Sequence, residues 1–172
     1  MKFRVIAAFA ILIPLAFFAF SAPGVPANAA GEYSIHFGAL SKLSIAVAQA
    51  MPADKYALRP HPESMNFGES MSHIATTNFQ FCAGLKDASS PESPSPADKD
   101  AIIKYLTASF DYSSSAISRL TDADLSKVHS SPDGRLPGRE ILLAMYVHVA
   151  HHRGQAEIYL RDNGIKPPSY MI

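Results

Sequence analysis

Cysteine is all but absent from this chain. Cys82 is the one thiol among 172 residues, which excludes an internal disulfide and the disulfide-stapled folds open to exported proteins. Lying beside Phe79 and Phe81, it reads as a small buried hydrophobe. Net charge is also lacking, with 15 basic and 15 acidic side chains. There is no basic run and no interleaving of basic with aromatic residues, so the electrostatic footprint of a nucleic-acid binder is missing. DNA and RNA are not expected partners. Long apolar runs are confined to one stretch near the start, Val5 to Phe20.

That stretch is interrupted by Pro14 and is shorter than the roughly 20 apolar residues a membrane helix needs. The basic Met1-Lys2-Phe3-Arg4 precedes it, and small residues and prolines ending in Ala27-Asn28-Ala29 follow it. This is the order of a secretory signal peptide with its A-x-A cleavage site. The expected organisation is a signal peptide over residues 1–29 and one domain over residues 30–172. The product is exported, periplasmic or extracellular, without stable membrane insertion after cleavage. No cysteine follows the run to carry a lipid. Lys2 and Arg4 leave with the signal and no acid does, so the mature chain carries 13 basic against 15 acidic side chains.

With 48% hydrophobic residues, the remainder is long enough for one well-buried domain. It reads as four helical segments with hardly any strand signal. From about Ile35 to Ala50, the residues Leu40, Leu43, Val47 and Ala50 recur on one face, and Met51-Pro52 ends the helix. A loop or extended connection through Arg59-Pro60-His61-Pro62 follows. The second helix opens at Asn66 with Glu69 placed to complete a capping box. Phe67, Met71, Ile74, Phe81 and Leu85 form its apolar seam, and beside it runs a polar row of Ser70, His73, Thr77 and Gln80, suited to lining a cavity. Ala88 to Pro96 is a serine- and proline-rich loop. Ser95 is expected to cap the third helix, with Pro96 at its first position and a core face of Ile103, Leu106, Phe110, Ile117 and Leu120. The fourth begins near Pro137 and ends at Asp162-Asn163-Gly164. Four amphipathic helices of this length predict an all-α fold, a four-helix bundle.

One row of the fourth helix reads Ile141, Met145, His148, His152, Gln155 and Tyr159, a core-facing seam that turns from apolar to histidine halfway along. Imidazoles at i and i+4 lie one turn apart on one face and can reach a single ion. On a buried seam they also need partners. His73, on the polar row of the second helix, is the best third ligand. His151 points about 100° from His152, and His36, His61 and His129 suit solvated surface roles. Of the neighbours, only Gln155 has a seam position favouring the cavity. Arg153 is expected to cap or pack and Glu157 to be solvated.

The run His148-Val149-Ala150-His151-His152-Arg153-Gly154-Gln155, with Tyr159-Leu160-Arg161, Gly164 and Pro167-Pro168, resembles the C-terminal signature of the DinB-like (damage-inducible, YfiT-related) family. Met65 to Ala75, with His73-Ile74-Ala75, is similar to that family's second-helix motif. The resemblance implies an up-and-down bundle of unusual helix order, a three-histidine metal site at His73, His148 and His152, and a homodimer. It also implies, for members of understood activity, metal-dependent transfer to low-molecular-weight cytoplasmic thiols, which an exported protein would not ordinarily meet.

Three neutral imidazoles suit Zn²⁺ or Ni²⁺ and leave open coordination positions. Two mechanisms fit: ionising water for attack on a small substrate, or holding a thiol as nucleophile. The competing class is a non-catalytic binding protein in which the metal holds the bundle together or captures a ligand. A closed site would favour a structural metal.

Overall fold

The computed structural model describes residues 28–86 and 92–170. The expected signal peptide lies outside them apart from Asn28 and Ala29, as does the first part of the serine- and proline-rich connection. Four long helices are present: α1 (Ala29–Ala50), α2 (Phe67–Lys86), α3 (Lys99–Ile117) and, after a short α4 (Asp122–Ser126), α5 (Gly138–Asp162). Both α1 and α2 pack against α3 and α5. Around the bundle axis the order is therefore α1, α3, α2, α5, so that the first and third connections each cross a diagonal. No helix of the described residues is long and apolar enough to cross a membrane.

The apolar seams occupy the core as their spacing predicts. Leu40, Leu43 and Val47 of α1, Phe67, Met71, Ile74 and Phe81 of α2, Leu106, Phe110 and Ile117 of α3, and Ile141, Met145 and Tyr159 of α5 are all buried. Cys82 is fully buried, its thiol 3.8 Å from the sulfur of Met145. The predicted capping box on α2 forms: Asn66 Oδ1 accepts from the Glu69 amide at 2.8 Å and Glu69 Oε2 from the Asn66 amide at 2.7 Å.

Three expectations are corrected. α1 starts at Ala29 rather than near Ile35, because Asn28 accepts from the Gly31 amide at 2.9 Å and Ala30 and Phe37 are buried. α3 is capped by Asp98, which accepts from the Ala101 amide at 2.9 Å, and not by Ser95. Ser95 instead closes a turn through its carbonyl, which accepts from the Asp98 amide. The connection between α1 and α2 is a loop, as expected, and it is fixed in place: Tyr56 is fully buried and donates to the Ala48 carbonyl at 2.7 Å, and Leu58 and Tyr56 carbonyls accept from the first amides of α2. A two-stranded antiparallel hairpin, β1 (Val128–Ser131) and β2 (Gly134–Pro137), precedes α5, with His129 opposite Leu136. Its turn is Pro132-Asp133, followed by Gly134 at φ 105°. The hairpin seats on α2 so closely that a Cβ added at Gly84 would lie 1.8 Å from the Ser130 carbonyl oxygen.

Candidate metal centre

Where α2 and α5 pack, the polar row of one meets the histidine seam of the other. Ser70 and Thr77 are buried and His73 is half-buried. Across from them stand His148 and His152, also half-buried, while Gln155, the next seam residue, is exposed. The three imidazoles converge. One ring nitrogen from each lies within 4.8 Å of the other two, the Nε2 atoms of His73 and His148 are 3.0 Å apart, and the ring centroids are separated by 4.8, 4.6 and 4.5 Å. Phe81 lies edge-on to His148 at 6.3 Å and supplies an apolar wall.

Burial sets the protonation of this cluster. It lowers His73, and with the neighbouring histidines as a smaller cause it brings both His148 and His152 down to about 4. A hydrogen bond to Gln155 pulls His152 weakly the other way. At neutral pH all three are uncharged, the state in which imidazole donates a lone pair. The Nδ1 atoms of His148 and His152 are buried and meet no hydrogen-bond partner among the described residues. Each such group costs about 1–3 kcal/mol when left unmade. Three converging neutral imidazoles fit a cation that accepts their lone pairs.

Two clefts reach the cluster. One, about 390 Å³, runs over Glu69, Ser72, His73 and Thr76 of α2 and under Ser93 and Pro94. The other, about 450 Å³, opens between the 60–65 segment and α5 over His61, Ser70, His152, Gln155, Ile158 and Tyr159. Met65 borders both. The Tyr159 hydroxyl donates to its carbonyl at 2.5 Å and so ties the dividing wall to α5.

The sequence matches the DinB superfamily over residues 37–156, from within α1 to beyond the last histidine of the cluster. The chain belongs to the DinB superfamily. It is 25% identical over 134 residues, 75% of this chain and 87% of the other, to the Bacillus subtilis protein YjoA. A DinB-like protein from Bacillus cereus shares its fold at a TM-score of 0.71, with 19% identity over 81% of this chain and 95% of that one. The DinB-like YjoA structure from Bacillus subtilis does so at 0.70, with 20% identity over 81% and 98%.

In this DinB-superfamily bundle the structure brings together the three predicted residues, His73, His148 and His152, and leaves the other four histidines out of the ligand cluster, although the His151 ring lies edge-on to His152 at 4.9 Å. His151 and His36 are exposed. His129 is less free than a solvated surface residue, since its Nε2 meets the Asp124 carbonyl at 2.9 Å. His61 is exposed as expected but lines the His152 cleft, its Nδ1 accepting from the Glu63 amide at 3.2 Å. Gln155 does line that cleft. Arg153 packs as expected, at 12% exposure, but Glu157 is not solvated: at 15% it pairs with Arg153 and lies 3.5 Å from Arg161. Desolvating one charge of an i, i+4 pair draws in the other. Ser72 escaped sequence reading because it stands off the polar row. Its hydroxyl is buried without a partner among the described residues, on the wall of the His73 cleft.

Proposed function

We propose that this chain is an exported, metal-dependent enzyme of the DinB superfamily acting on a small-molecule substrate, in a hydrolytic or thiol-transfer reaction. His73, His148 and His152 hold its divalent ion, zinc or nickel. The observation that carries this reading is the convergence of three neutral imidazoles, of which His73 lines one cleft and His152 the other. A structural metal is enclosed by its ligands, whereas a catalytic one keeps a side accessible.

A bound ion would supply Lewis acidity, polarising a substrate oxygen or making a water or thiol acidic enough to ionise near neutral pH. The rest falls to the protein. Burial keeps the three imidazoles deprotonated. The Ser72 hydroxyl is positioned to bind a polar substrate group entering beside His73. The bond from Tyr159 to Met65 holds the wall between the clefts in place.

The test is a screen of zinc- and nickel-loaded protein against ester, amide and thiol-conjugation substrates, with His148→Ala as the control. Turnover that vanishes in the variant and in chelator supports the enzyme. Binding of metal without turnover of any of these classes supports the non-catalytic alternative.

A further inference from the structure

A third cavity lies apart from the metal centre and shares no lining residue with either cleft that reaches it. It opens between the start of α1 and the first two turns of α5, and encloses about 420 Å³. That volume is within the range of small-molecule sites. Its walls are apolar: Tyr33, Leu142, Leu143 and Tyr146, with the two tyrosine rings edge-on at 6.2 Å. Leu143, at 62% exposure, is among the most exposed large hydrophobic residues of the described chain, so the mouth presents apolar surface to water.

The polar groups at this cavity are not balanced in charge. Arg139 and His36 line it, and no acidic side chain does. Arg139 stands on the first turn of α5, where the helix dipole is positive and Pro137 provides no side-chain cap. Cleavage after Ala29 would leave these six side chains in the mature chain. It would also place the new α-ammonium one residue from Ala29, which borders the cavity.

We propose that this cavity binds a small amphipathic carboxylate, its aliphatic or aromatic body against Tyr33, Leu142, Leu143 and Tyr146 and its anionic head at Arg139. An apolar wall alone would take any hydrophobe. The unopposed guanidinium selects one with a negative end, because Arg engages a carboxylate through two parallel N–H donors. The site is independent of the metal reading, since no histidine of the cluster touches it.

Octanoate and 1-octanol, equal in chain length and different in charge, are the probes, titrated calorimetrically into metal-loaded protein. Octanoate is expected to bind saturably, one per chain, and at least about tenfold more tightly than octanol. Arg139→Gln should abolish that preference while leaving octanol binding unchanged. Leu143→Gln, at an exposed position that tolerates a polar residue, should weaken both. Octanoate binding should persist in the His73→Ala variant, which separates this cavity from carboxylate capture at the metal. The proposal is overturned if octanoate fails to bind, if Arg139→Gln leaves its affinity unchanged, or if binding disappears with His73→Ala. It is also overturned if light scattering shows a dimer that Leu143→Gln dissociates, because a second copy would then cover the cavity.

Discussion

At the scale of residues, three histidines contributed by two helices define the centre, and their neighbours serve as internal controls. Single substitutions His73→Ala, His148→Ala and His152→Ala should each weaken metal affinity by more than the roughly 10- to 100-fold that loss of an outer-shell partner costs. His151→Ala and His36→Ala, both at exposed positions, should leave metal content unchanged. Metal analysis of the purified variants checks this, and loss of metal from the His151 variant with retention in the His148 variant would falsify the assignment. Acid sensitivity follows from the same residues. His148 and His152 hold about 4 in the folded chain against an ordinary 6.5, so between those values the unfolded chain binds more protons. Stability of the metal-free protein is therefore fully present above pH 6.5, falls as the pH drops toward 4, and levels off below it with respect to these groups. Urea midpoints at pH 7.5, 5.5 and 4.5 measure the slope, which His148→Gln should reduce.

At the scale of elements, each helix that shapes the site is fixed at an end by local chemistry. Glu69 closes the capping box of α2 and also accepts two bonds from Arg59, at 3.0 and 2.8 Å, while Arg59 donates a third to the Ser64 carbonyl; together they anchor the segment lining the His152 cleft. α5 stops in a Schellman motif: Gly164, at φ 70°, donates to Arg161 and Ile165 donates to Leu160. Two glycines separate backbone preference from packing. A Cβ added at Gly154 of α5 would meet nothing within 4 Å, so Gly154→Ala should stabilise the protein by about 0.5–1 kcal/mol through helix propensity. Gly84 of α2 faces the Ser130 carbonyl, so Gly84→Ala should destabilise it by about 1–3 kcal/mol by forcing the hairpin off the helix. Thermal and urea denaturation of the two variants should move in opposite directions.

At the scale of the whole molecule, the bundle and the ion are separable. The continuous core of all four long helices supplies the stability, and an ion held by the proposed three-histidine site would bind only the folded state. Chelation should thus lower the melting temperature while leaving the helical circular dichroism of the bundle intact at 25 °C. Export adds an expectation at the start of the chain. Mass spectrometry of the mature protein should find its N-terminus at or next to Ala30, and retention of Met1 in a membrane fraction would reject the signal reading. Cleavage there removes Asn28, whose side chain caps α1, at a cost of about 1 kcal/mol.

The amino-acid sequence by itself determined the four long helices, the α2 capping box, the end of α5 and the two rows that carry the histidines. These depend on residues three or four apart, a separation that the helix repeat turns directly into a shared face. Tertiary structure decided the rest. Which polar row met the α5 histidines depended on the order of helices around the axis, which no local spacing encodes. Asp98 prevailed over Ser95 as the α3 cap because Pro96 is held against Gly68, where an added Cβ would stand 1.7 Å from the Pro96 carbonyl oxygen. That contact makes residues 93–96 a cleft wall rather than a helix start. Strands of four residues carry too little pattern to be read alone, and the hairpin rests on Gly84, more than forty residues away. Glu157 lost most of its solvent to packing too: Arg153 is largely desolvated, at 12% exposure, and a desolvated cation holds its counter-ion close.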